Sequence, residues 1–152
     1  MKNYKVITPL FPTYAQVKAM MKAVSGYSLK AVRNMITAIR DQTGTPQKPV
    51  DWSEPDLWIS ERLTGEDADI ARRIWDTDNH ILNPRHSYGC YLFLNYPQFE
   101  LMESTPDDTW QPTSRGQKFL QDDEKTLRSL DDQEGILQLL ELLAGRETSR
   151  RA

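Results

Sequence analysis

The chain has 152 residues, enough for one domain or for one compact domain with a helical extension. With 38% hydrophobic residues, a net charge of −3 and one cysteine, Cys90, it offers no internal disulfide and no cysteine-rich zinc site. No apolar run reaches membrane-spanning length and no secretory core is read, so a reducing cytoplasm is the expected compartment.

The net charge conceals an asymmetry. Residues 1–52 hold eight Lys/Arg against two acids, a net of +6, and residues 53–152 hold eleven against twenty, a net of −9. An acidic total therefore does not exclude a nucleic-acid face, because the local field governs encounter.

Residues 1–12 read as an extended arm, with strand-like "YKVI" followed by Pro9 and Pro12. Thr13 is placed to cap a helix through Ser25, with Val17, Met20, Met21 and Val24 on one face, and Gly26 ends it. Ser28 caps a second helix to Gln42, with Val32, Met35, Ile36 and Ile39 inward. Lys18, Lys22, Lys30, Arg33 and Arg40 fall off the apolar stripes. The pair predicts an αα-hairpin or a helix-turn-helix.

"TGTPQKPVDW" is a loop, punctuated by Gly44, Pro46 and Pro49. Ser53 is the expected cap of a third helix, in which Trp58, Ile59 and Leu63 face the core. A fourth runs from Glu66 to Trp75, with Ile70, Ala71, Ile74 and Trp75 inward. "DTDNHILNPRH" is a polar turn, and "SYGCYLFLNY" is read as a helix capped by Ser87. "QFELMES" alternates as a strand, "TPDDT" is a turn and "TWQPT" is a second strand, which together predict a β-hairpin. Thr113 caps the helix "SRGQKFLQ". "DDEKT" is read as a charged link before a last helix with Asp131 as cap, Glu134 as its capping-box partner and Gly145 as its stop.

Helices, a short helix, a hairpin and a capped helix follow the order of a winged helix. The expected fold is mainly α with a small β-hairpin, a winged-helix variant of helix-turn-helix with additional helices. Its divisions are an arm at 1–12, the winged-helix DNA-binding domain at 13–121, a helical extension at 122–145 and a tail or linker at 146–152. "WQPTSRGQKFL" is similar to the segment that closes the wing in such domains: Thr113 caps, Gly116 permits close packing, and Phe119 and Leu120 fill the core. Pro112 departs from that pattern, in which Leu or Val is usual.

A longer stretch, "GTPQKPVDWSEPDLWISERLTGED" followed by "IWDTDNHILNPRHSYGCYLFL", resembles the N-terminal region of Mrr-like, type IV-like restriction endonucleases. The resemblance covers roughly residues 13–145. It implies a cytoplasmic prokaryotic recognition module that precedes a separate C-terminal nuclease domain, binds double-stranded DNA with or without modified bases, and needs no cofactor. It also implies that this chain alone is not the enzyme.

Residue chemistry supplies the candidates. "LNPRHSYG" concentrates Asn83, Arg85, His86 and Tyr88 at the start of a helix. Arg holds guanine and Asn holds adenine through paired hydrogen bonds, so these four are the base-contact candidates. Lys18, Lys22, Lys30, Arg33, Ser87, Arg115 and Lys118 are the phosphate candidates. Trp52 and Trp110 are the candidates for stacking on an extruded base. Each has an ordinary reading beside it: solvated lysines, a structural turn, core tryptophans.

Other chemistries are weaker. His80 and His86 lack a neighbouring ligand cluster, so no metal site is assigned, and Cys90 reads as core. Asp107, Asp123 and Lys125 spell a PD…DxK pattern for a metal-dependent nuclease, but such sites need two adjoining strands and "SRGQKFL" reads as helix. No catalytic residue is assigned. The rival to DNA binding is a protein interaction module, because "GILQLLELLAG" is apolar over a broad arc suited to a homodimer or to docking a nuclease domain.

Overall fold

The computed structural model describes residues 12–143, with side chains described through Gly135. Seven α-helices and one small antiparallel sheet are found among these residues: α1 (Tyr14–Val24), α2 (Leu29–Arg40), α3 (Pro55–Arg62), α4 (Gly65–Trp75), α5 (Tyr88–Asn95), β1 (Met102–Ser104), β2 (Trp110–Pro112), α6 (Ser114–Leu120) and α7 (Glu124–Leu143). The protein is mainly helical with a small hairpin. The expected arm at 1–12 is described only at Pro12. The apolar arc of 135–145, the stop at Gly145 and the tail lie outside the described side chains.

Local chemistry starts these helices. Thr13 and Gln16 form a reciprocal capping box on α1, and Ser28 Oγ accepts from Ala31 N at 3.0 Å to start α2. Gly26 takes φ +97, a left-handed turn that a side chain would strain, and the chain reverses there between α1 and α2. Met20, Met21, Val32, Met35, Ile59, Ile70, Ile74 and Phe93 are fully buried, so the apolar stripes meet in one core. α4 packs against α1, α2 and α3, and α5 lies along α1.

The hairpin pairs Met102 with Pro112, Glu103 with Gln111 and Ser104 with Trp110. It is also tied to the α1–α2 turn: Trp110 N donates to Tyr27 O at 2.7 Å and Gly26 N donates to Trp110 O at 3.0 Å. These bonds occupy the outer edge of β2 with backbone from the α1–α2 turn.

The junction into α6 rests on Thr113 and Gly116. Thr113 Oγ1 accepts from Gly116 N at 3.0 Å and donates to Glu100 O. A methyl group on Gly116 would overlap Leu101 O and lie 3.2 Å from Met21 Cε, so glycine is required for α6 to approach the strand. Phe119 is buried against Tyr14, with ring centroids 5.4 Å apart.

Several sequence expectations are corrected. Ser53 does not cap α3, because its N and Oγ both donate to Asp51 Oδ1 and Glu54 takes the cap position. The first strand does not reach Phe99: residues 97–99 form a 3-10 turn closed by Glu100 at φ +51, and the alternation of Phe99 and Leu101 reflects burial on either side of that turn. Ser87 stands before α5, but its hydroxyl donates to Pro84 O at 2.7 Å and caps nothing. α7 begins at Glu124, inside the expected link, because Asp123 Oδ2 accepts from Thr126 N at 3.0 Å and from Thr126 Oγ1 at 2.8 Å. Those bonds hold the Asp123 carboxyl below its ordinary pKa. Asp131 lies within α7, where it accepts from the Tyr14 hydroxyl at 2.8 Å. Leu130, on the same helix, is fully buried.

Two outcomes follow from this packing. Gly116→Ala should lower the urea midpoint with an unchanged slope, by about 2 kcal/mol or more of stability, the scale of an overpacked core. Cys90 is fully buried, and burial pushes its thiol from an ordinary 9.0 up to about 12. The unfolded thiol ionises first as pH rises, so stability is lost between those two values. A thiol reagent at pH 8 should label Cys90 only at the rate of unfolding.

Candidate functional site

The cations that sequence alone groups together separate into spent and available sets. On α1, Lys18 pairs with Asp122 and lies over the Phe119 ring at 5.3 Å, with its side chain 17% exposed. Burial, then the neighbouring Lys22, lowers its pKa. Lys22 pairs with Asp78 at 3.3 Å across an exposed gap. On α6, Arg115 donates to Phe99 O, to Ser129 Oγ at 2.8 Å and to Gln133 Oε1 at 2.7 Å, so its guanidinium clamps α7 to the hairpin base. Lys18 and Arg115, both phosphate candidates, thus have partners within the fold. Lys118 is exposed on α6, facing the charge of Asp123.

α2 differs. Lys30, Arg33 and Arg40 are exposed at i, i+3 and i+10 of one stripe, with exposed Asn34 beside them, and the helix contains no Asp or Glu. Arg33 Nε donates to the Tyr91 hydroxyl on α5 at 2.6 Å and its guanidinium lies 5.9 Å from that ring. α5 likewise has no acid. Two carboxylate-free helices therefore meet in a chain of 22 acids.

α5 does not present the exposed polar face expected of a helix that reads a groove. Cys90, Tyr91, Phe93 and Leu94 are buried, and Tyr88, at 52%, is its one strongly exposed side chain. The turn before it is rigid. Asn83 Oδ1 accepts from Arg85 N at 3.0 Å, which uses the amide oxygen that an adenine contact would need. Ser87 is buried, so its hydroxyl is not offered to a phosphate. Arg85 and His86 are exposed.

A cleft of about 770 Å³ opens between the C-terminal half of α2, the 42–52 loop and residues 84–88. Ile36, Ile39, Arg40, Trp52, Arg85 and Tyr88 line it, and no carboxylate does among the described residues. Gly44 shapes the loop wall: a methyl group there would meet Val50 N at 2.6 Å and Lys48 O at 2.7 Å, and Thr45 and Lys48 exchange backbone hydrogen bonds at 3.0 Å. The cleft brings together Trp52, Arg85 and Tyr88, which lie on a loop, a turn and a helix far apart in sequence.

The tryptophans divide. Trp110 is 2% exposed and packs 6.2 Å from Tyr91, so it is corrected from a stacking candidate to core. Trp52 is half-buried, edge-on to Trp58 at 5.0 Å, and carries the Arg85 guanidinium at 5.0 Å and that of Arg62 at 5.6 Å from its ring. Arg40 lines the cleft and is not among the sequence candidates; its place off the apolar stripe of α2 is the signal that could have found it.

Comparison with protein-family models, curated proteins and solved structures finds no match for this chain.

The PD…DxK pattern has no site geometry. Asp107 is in the exposed hairpin turn, Asp123 caps α7, and α6 stands between them where a strand would be required. No cluster of three or more His, Cys, Asp or Glu is arranged to hold a metal ion among the described residues. His80 stacks on Trp75, centroids 4.1 Å apart, and its Nδ1 meets Trp75 O. No helix among the described residues is long and apolar enough to cross a membrane.

The loop wall can be tested directly. Gly44→Ala should leave the thermal midpoint within a few degrees, because the loop is exposed, yet change the fluorescence of Trp52. An unchanged tryptophan spectrum would show that Gly44 does not set the wall.

Proposed function

We propose that this chain is a double-stranded DNA-binding module of winged-helix type, with α2 as the helix that faces the duplex. The observation that carries the reading is the α2–α5 joint. It sets Lys30, Arg33 and Arg40 on one stripe of a helix without Asp or Glu, ending at the Arg40–Asp41 pair, with Arg85 and His86 exposed at the adjoining turn. Such a stripe neutralises successive phosphates and releases counterions, the main source of affinity for duplex DNA. Bonding of the Gly26–Tyr27 turn to β2 supports the winged-helix assignment, since it ties the connection between the first two helices to the hairpin by two backbone hydrogen bonds.

The reading shifts the contact surface from α5 to α2. The mostly buried α5 offers one exposed polar side chain, Tyr88, whereas α2 exposes Lys30, Arg33, Asn34 and Arg40. The hairpin tip is unsuited to a phosphate, because Glu103, Asp107 and Asp108 are exposed there. Resemblance to the N-terminal region of Mrr-like restriction endonucleases supports a role as the recognition module of a larger cytoplasmic nuclease, with the cutting domain as a partner and no catalysis by this chain.

Binding to a matched duplex should be salt-dependent, and Lys30→Ala with Arg40→Ala should reduce the slope of log K against log salt by about 2, near 0.9 per lost phosphate contact. Lys18→Ala should leave that slope unchanged. Absence of binding at low salt, or a slope insensitive to the α2 pair, would sink the proposal.

A further inference from the structure

We propose that the cleft beside α2 receives one nucleotide, with its base against Tyr88 and its phosphate on Arg85 and Arg40. The inference deepens the DNA-binding reading and rests on it where the nucleotide arrives as part of a duplex. A volume of about 770 Å³ falls in the range of small-ligand sites, and the lining is of two kinds. Ile36, Ile39 and Val50 supply an apolar floor, and Arg40 and Arg85 supply two cations. Among the described residues no carboxylate lines the cleft, the one paired with either cation being Asp41, beside Arg40 and outside the lining. A small anion would leave the apolar floor unused, and a cationic ligand would meet two guanidinium groups. A planar base joined to a phosphate satisfies both halves.

Tyr88 is built to stack. Its ring lies 6.1 Å from Tyr91 with an interplanar angle of 25°, so Tyr91 braces it from within the fold while half of its surface stays exposed. Trp52 has a different part from direct stacking. It holds the Arg85 guanidinium 5.0 Å from its ring centre, a cation–π contact that consumes none of the arginine's N–H donors. Trp52 is therefore a positioning residue for Arg85. Arg40 pairs with Asp41 at 3.5 Å, but both side chains are largely exposed, a pairing weak enough for a phosphate to displace.

The same chemistry reaches the cleft from two sources, a free nucleotide or a nucleotide extruded from a duplex. Extrusion costs least for an unpaired base. The test uses the full chain, two labelled duplexes of equal length at one salt concentration, one matched and one with a single base opposite an abasic site, and two competitors, a 5′-mononucleotide and inorganic phosphate. The unpaired-base duplex should bind about tenfold tighter than the matched one. Tyr88→Ala, Arg85→Ala and Arg85→Lys should each bring that ratio to within about twofold of unity, since lysine keeps the charge and loses the fork. Trp52→Ala should lower the ratio and Trp52→Phe should restore it. The mononucleotide should displace the unpaired-base duplex at a concentration where inorganic phosphate does not.

A ratio near unity in the native chain with matched duplex still bound overturns the cleft assignment and leaves the DNA reading standing. A ratio that survives the Tyr88 and Arg85 substitutions, or equal competition by inorganic phosphate, also overturns it. Mononucleotide binding without any duplex binding sinks the DNA reading and keeps the cleft. Loss of both sinks both.

Discussion

The hydrogen bond from Arg33 Nε to the Tyr91 hydroxyl, at 2.6 Å, joins α2 to α5, and the candidate surface depends on that joint. Tyr91 is nearly buried, so its hydroxyl needs a partner, and a charged donor gives a stronger bond than a neutral one. The same ring meets Tyr88 on one side and Trp110 on another. Trp110 in turn bonds through its backbone to Gly26 and Tyr27, the residues that lead into α2. Helix, turn and hairpin are therefore closed into one loop of contacts. The orientation of the α2 stripe relative to the 84–88 turn follows from this closure rather than from any single helix pairing.

Charge within the chain decides which cations remain for a partner. The basic third of the sequence suggests a broad positive region, yet Lys18 is taken up by Asp122, 104 residues away, and Lys22 by Asp78, 56 residues away. Arg115, just after the hairpin, holds three groups at once. A charge count cannot see such pairings, because they are made by tertiary contact between distant segments. α2 itself has three cations and no acid and meets the acid-free α5, so among the described residues only Arg40 of its cations is paired with a carboxylate, that of the following Asp41.

Local signals carried most of the fold. Caps at Thr13, Ser28 and Thr113 and the apolar stripes of α1, α2 and α4 were readable, since each depends on residues a few positions apart, whereas the close approach at Gly116, to Leu101 and Met21, was read through the likeness to a wing-closing segment. The failures share a cause. Phe99 and Leu101 alternate like a strand, but Pro97 and the left-handed Glu100 impose a turn, and burial of both apolar side chains preserves the alternation. "DDEKT" looks like a solvated link until Asp123 is seen to cap a helix through Thr126. Of the site, Arg85 and Tyr88 were legible as a cluster, whereas the cleft was not. Its walls come from α2, a loop held by Gly44, and the 84–88 turn, and only the folded chain brings Trp52 under Arg85.

Placing the duplex on α2 makes a claim about location that backbone amide shifts can read residue by residue. A matched duplex titrated into the isotopically labelled chain at low salt should move the amides of 29–41 first, with those of 43–52 and 84–88 at the border of the affected region. Shifts concentrated in 102–120, on the hairpin and α6, or no shifts at all, would contradict a DNA surface centred on α2.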